Sequence, residues 1–176
     1  MGVADNEPGQ GGRRLALMRH SKAEGYEKPD LQRELADRGV RDAEAAGQWF
    51  AELGLVPDGA LVSAAARTRE TWAGVAEGAG WTCRAETSEA LYAAGPEAAL
   101  DLIRETDDGV RTLVVIGHNP TMAYLAQVLD NGEDDLSNEM ATGFPTSAVA
   151  VFEFDGGWAG LEEGECRLVG FHTPHS

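Results

Sequence analysis

Cysteine is nearly absent: Cys83 and Cys166 are the only two in 176 residues, and no CxxC pair brings thiols together. That pattern speaks against a disulfide framework and a zinc site, and fits a reducing cytoplasm. Both cysteines fall in segments that read as strands, where a buried, inert thiol is expected. Long apolar runs are also missing, and none approaches the ~20 residues of a membrane span. Residues 1–12 are polar and Gly-rich with no apolar stretch, so they read as a disordered leader rather than a secretory signal. A single domain is expected over 13–176. Lysine is scarce, with twelve of the 14 basic residues being Arg. Base composition accounts for that excess as a whole, which leaves only particular arginines as functional candidates. Positive charge in general is short: 30 acids face 14 bases, for a formal net charge of -16. The resulting field repels phosphate polymers, so neither nucleic acid nor an anionic membrane is an expected partner. A chain of this charge that handles phosphate has to build a local cationic pocket against its own background.

What is present suits a globular protein, with 43% hydrophobic and 25% charged residues. After the leader, strand and helix patterns alternate. Residues 14–19 form a short apolar run that reads as a buried strand. Residues 21–35, with Gly25, Pro29 and many charges, read as a loop. From 37 to 53 the apolar positions recur at helical spacing, and Gly54 stops the helix. Residues 60–62 read as a brief strand, with Ser63 as N-cap of a helix whose stripe is Trp72, Val75, Ala76 and Ala79. Residues 81–85 are a weaker strand. Gly95-Pro96 opens a third helix. Residues 113–116 are the clearest core strand, ended by Gly117, after which Asn119 can cap and Pro120 can start another helix. Residues 131–138 read as an acidic loop, and 147–154 and 166–171 as two closing strands. This alternation implies an α/β fold: a three-layer sandwich with a mostly parallel central sheet and helices on both faces.

Two stretches carry chemistry. Arg19-His20 follows the first strand directly, and Gly117-His118-Asn119-Pro120 follows the best central strand. In an open α/β sheet ligands sit beyond the carboxyl ends of the strands, so both histidines should project into one crevice. Helix N-termini end there as well and favour an anion. Arg67, early in the helix after Ser63, points to the same edge. Arg19, Arg67, His20 and His118 would then form a cationic cup.

These segments resemble the histidine phosphatase superfamily. LALMRHSKAE is similar to its RHG motif, VVIGHNPTM to its second-histidine motif, and SAAARTRETW to the segment bearing its second arginine. DLQRELADRG resembles the segment that opens the first helix in the SixA-type phosphohistidine phosphatase branch. The resemblance runs from about residue 13 to 174 in unbroken order. It implies a phosphoglycerate mutase-like fold and a metal-independent phosphatase without cofactor. By position, His20 matches the phosphorylated histidine, Arg19 and Arg67 the phosphate-binding arginines, and His118 the second pocket histidine. Ser21 stands where the family usually has glycine, as SixA-like relatives tolerate; it could bond phosphate or cap the loop. Lys22 is expected to point to solvent. Asn119 is a candidate phosphate contact, although a helix cap is the plainer role. Thr71 is expected to support Arg67. No role is assigned to His172 or His175.

Alcohol leaving groups require a general acid, and Glu89 in SEALYAAGPE is the candidate, with Glu24 behind it. A phosphohistidine substrate can dispense with one, because its imidazole can arrive protonated. Between Arg67 and His118 the sequence holds one strand and one helix, too little for the lid of mutases and sugar phosphatases, so an open cleft is expected. The expected substrate is a phosphorylated protein carrying phosphohistidine, with inorganic phosphate as product. The alternatives are a broader phosphomonoesterase on a small phosphoester, and a non-catalytic phosphate-binding module.

Overall fold

The computed structural model describes residues 12–174. All but the last residue of the expected leader, and His175, lie outside them. Six strands form one sheet: β1 (Arg13–Arg19), β2 (Gly59–Ser63), β3 (Glu86–Ser88), β4 (Thr112–Gly117), β5 (Val149–Phe154) and β6 (Arg167–His172). Their spatial order is β3-β2-β4-β1-β5-β6. β2 pairs in parallel with β3 and β4, and β1 in parallel with β4. β5 is antiparallel to both β1 and β6, so it alone runs against the other five.

The sheet is covered on both faces, which is why its central strands are continuous apolar runs rather than alternating ones. On one face Leu15, Leu17, Leu113, Val115 and Phe152 pack with α4 (Pro96–Arg104) and α5 (Thr121–Leu129). On the other, Ala16, Met18, Val114, Ile116 and Val151 meet α1 (Asp37–Leu53) and α2 (Ala66–Ala79), through Ala43, Ala46, Phe50 and Val75. Gly54 adopts the left-handed conformation (φ 69°) that closes α1, and Pro96 opens α4 behind an N-cap at Gly95.

Some local expectations are corrected. Ser63 does not cap α2, whose N-cap is Ala65; its hydroxyl turns to His118 instead. Residues 81–85 are not a strand. Trp81 packs into the α1–α2 core and donates from Nε1 to the Leu55 carbonyl (3.0 Å), and the edge strand begins only at Glu86. Cys83 therefore sits outside the sheet and half-exposed, whereas Cys166 is fully buried beside β6. Two short helices went unrecognised, being too brief to show a period. α3 (Glu89–Ala93) is nucleated by Ser88, whose hydroxyl accepts from the Leu91 amide (2.9 Å). α6 (Leu136–Ala141) emerges from the acidic loop because Met140 is buried there.

The register settles where the chemistry lies. Arg19 pairs with Gly117 and Val62 with Ile116, so the carboxyl ends of β2, β4 and β1 stand side by side.

Candidate active site

The amide of His20 donates to the Gly117 carbonyl (3.0 Å), which extends the β1–β4 pairing one residue past the strand. Three hydroxyls fix the turn that follows. Thr71, one helical turn beyond Arg67, accepts from the Ser21 amide (3.0 Å) and donates to the Arg67 carbonyl (2.7 Å). Ser147 donates from its hydroxyl to Ser21 (2.6 Å) and from its amide to the His20 carbonyl (3.0 Å). Ser147 does this in the left-handed region (φ 69°), an unfavourable conformation for a residue with a side chain and one held here by its bonds.

The His20 ring has one fixed contact: Nδ1 lies 2.7 Å from the Ser21 carbonyl. A carbonyl can only accept, so Nδ1 carries the proton and the lone pair belongs to Nε2. Burial, with Arg67, Arg19 and His118 nearby, pushes the His20 pKa down to about 3, although the Ser21 bond opposes the shift. The ring is therefore neutral at physiological pH. His118 is packed 5.4 Å away, centroid to centroid. Its Nδ1 accepts from Arg67 Nη2 (3.2 Å), which assigns its proton to Nε2, 2.7 Å from the Ser63 hydroxyl. Burial, then Arg67, pushes His118 down to about 4.

Arg19, His20, Arg67 and His118 line one open cavity of about 720 Å³. Its outer wall comes from the loop after His20, where Arg33 lies over the Tyr26 ring (4.2 Å). Lys22 is exposed yet also lines the cavity, and Glu24 lines it too.

The other candidates are placed differently. Ser21 is fully buried, and its hydroxyl is taken up by Ser147 rather than turned to the cavity. Asn119 lines the cavity, but its Oδ1 accepts from the Ala123 amide (3.1 Å) and its Nδ2 donates to the Phe144 carbonyl (2.9 Å). Those bonds tie it to the first turn of α5, whose N-cap is Pro120 rather than Asn119. Glu89 is exposed in the first turn of α3 and is not among the lining residues. His172 stacks on Trp49 (5.1 Å), away from the cavity. Among the described residues, no three His, Cys, Asp or Glu side chains are grouped to hold a metal ion, and no helix is long and apolar enough to cross a membrane.

Sequence reasoning missed Asp30 and Tyr92. Asp30 follows Pro29 at the start of a 3₁₀ turn (Asp30–Gln32), and its carboxylate accepts from Arg67 Nη2 (3.1 Å), Arg33 Nε (3.2 Å) and the Tyr92 hydroxyl (2.6 Å). The Tyr92 ring meets His118 edge-on (5.5 Å). The available signal was the DLQRELADRG segment itself, which contains Asp30 and Arg33; nothing local marked Tyr92.

Comparison with known proteins identifies a family. Residues 15–92 match the model of the histidine phosphatase superfamily (branch 1), a stretch that includes Arg19, His20 and Arg67. An uncharacterized protein of Mycobacterium tuberculosis is 39% identical over 163 residues, covering 89% of this chain and 99% of that protein. Among solved structures, one named as phosphohistidine phosphatase SixA from Agrobacterium tumefaciens is 30% identical with a TM-score of 0.77, covering 92% of this chain and 98% of the other. Another so named, from Nakamurella multipartitia, is 29% identical with a TM-score of 0.83, covering 94% and 98%.

Proposed function

The chain belongs to the histidine phosphatase superfamily, in its SixA-type branch, and is a phosphatase; from that premise we propose that it removes phosphoryl groups from phosphohistidine on a protein, through His20 and without a metal. The observation that carries this reading is the 2.7 Å contact between His20 Nδ1 and the Ser21 carbonyl, in a ring that burial keeps neutral. It leaves Nε2 with a lone pair beside two guanidiniums.

Nε2 attacks phosphorus, forming a new P–N bond as the bond to the leaving nitrogen breaks. The electron pair returns to that nitrogen, and a leaving imidazole that arrived protonated departs neutral. Charge on the three equatorial oxygens is met by Arg19 and Arg67, permanently cationic forks suited to phosphate. Phosphorylated His20 still holds its Nδ1 proton against Ser21, so it is an imidazolium and a good leaving group in turn. Water then attacks phosphorus and the P–N bond electrons return to Nε2. One water proton stays on the product phosphate and the other passes to solvent.

The carboxylate bound to Arg67 favours a P–N substrate over an alkyl phosphate. Asp30 accepts from the Tyr92 phenol and then from two guanidiniums, which hold it at about 2 and ionised, so it has no proton to donate. Glu24 lines the cavity and is the better-placed acid for a small phosphoester, the second reading. Turnover of a phosphohistidine protein should far exceed that of p-nitrophenyl phosphate and survive EDTA. An acid-labile phosphoryl group should be trapped on His20 and be lost in His20→Ala, which should keep part of its phosphate binding. Efficient alkyl phosphate hydrolysis abolished by Glu24→Gln would favour the esterase instead, and loss in Glu89→Ala would reinstate that residue. Phosphate binding with no trapped intermediate from any donor would leave only a binding module.

A further inference from the structure

Arg67 is held by three contacts at the start of α2. Nη1 donates to the Asp30 carbonyl oxygen (2.7 Å), and Nη2 donates to the Asp30 carboxylate (3.1 Å) and faces His118 Nδ1 (3.2 Å). Both protons of Nη2 are therefore committed, and the fork suited to a phosphate already grips a carboxylate and a carbonyl. Asp30 is itself bound by Arg33 through Oδ1 and by Tyr92 through Oδ2, the oxygen that Arg67 also uses. Arg67 is 6% exposed, so its guanidinium has little freedom apart from these contacts. An unpaired guanidinium at that depth would carry a heavy desolvation cost, which Asp30 offsets.

We propose that Asp30 is a positioning residue for Arg67 and the resting counter-anion of the phosphate site, so that it orients the guanidinium for transfer and weakens the pocket's hold on product phosphate. The proposal rests on the phosphatase reading above. Its physical content is a competition. The carboxylate and a phosphate dianion draw on the same guanidinium, and they repel one another across it. Substrate entry pulls Arg67 partly from Asp30, and the returning carboxylate helps expel phosphate. Tyr92 tunes this, because its hydroxyl satisfies part of the carboxylate and leaves less of it for Arg67.

Asp30→Asn keeps the shape and removes the charge. Titration with inorganic phosphate should then give a dissociation constant about tenfold lower, while kcat falls about tenfold as Arg67 loses its fixed orientation. Tyr92→Phe keeps the ring against His118 and removes the hydroxyl. Its phosphate affinity should move the opposite way, roughly two- to threefold weaker. A merely structural role predicts something else: both variants weaken phosphate and lose kcat together. That outcome, or a folded Asp30→Asn with unchanged phosphate affinity or unchanged kcat, overturns the proposal. Failure of the phosphatase reading would show separately, as a wild-type protein that binds phosphate and turns nothing over, in which the two opposed affinity shifts still test Asp30.

Discussion

His20 is 8% exposed, and the burial that keeps its ring neutral also makes the folded protein sensitive to acid. In the unfolded chain its pKa returns to the ordinary 6.5, whereas in the fold it lies near 3. Between those values the unfolded chain binds a proton that the folded protein refuses, so stability is full above pH 6.5 and is lost as pH falls. At pH 5 the loss from this one group is about 2 kcal/mol. His118, pushed down to about 4, acts in the same direction. His20→Asn removes the titrating group while its amide can still donate to the Ser21 carbonyl. Denaturant unfolding in phosphate-free buffer should show the wild type losing about 2 kcal/mol more than this variant between pH 7 and pH 5; parallel pH profiles would mean that His20 is not held neutral by the fold. At this scale the four cup residues were legible because each ends a strand, directly follows one or opens a helix at that edge. Asp30 and Tyr92 were not, because their meeting joins positions 62 apart in sequence and no local pattern encodes it.

The helices pack at distances that their glycines set. A Cβ at Gly78 would lie 2.2 Å from the Glu44 carbonyl oxygen, and one at Gly47 would lie 2.2 Å from that of Val75, so α1 and α2 touch backbone to backbone. Helix propensity alone says that Gly78→Ala stabilises, by roughly 1 kcal/mol. Overpacking of this kind costs about 1–3 kcal/mol and acts on backbone, which cannot swing aside. Packing should win, and Gly78→Ala should lower the thermal midpoint by several degrees; a raised midpoint would show that the helices can separate without penalty. A Cβ at Gly39 would lie 2.1 Å from the Lys22 carbonyl oxygen, two residues from His20, so the first helix packs just as closely on the turn after β1. Apolar periodicity found α1 and the core strands because each buries a face long enough to repeat. It misplaced β3, where an edge strand exposes its side chains, and it passed over α3 and α6, which span five and six residues.

For the molecule as a whole the deciding quantity is the -16 net charge against a cavity lined by Arg19, Arg33, Arg67 and Lys22. An approaching phosphate dianion meets the net field first. At about 0.01 M salt that field reaches ~30 Å, and at 0.15 M only ~8 Å. Contacts with Arg19 and Arg67, the proposed phosphate-binding pair, would act within a few ångströms in a partly buried site, where salt screens them far less. Added salt therefore removes the repulsion before it weakens the grip. For a small dianionic ester, kcat/KM should rise roughly severalfold from 0.01 to 0.15 M salt at constant kcat, since steering acts on encounter rather than on chemistry. A basic phosphoprotein should show the reverse, because the same field would draw it in. Falling kcat/KM for the small ester over that range would mean that the cup's own field dominates at long range, and the acidic surface would then have no part in selecting the substrate.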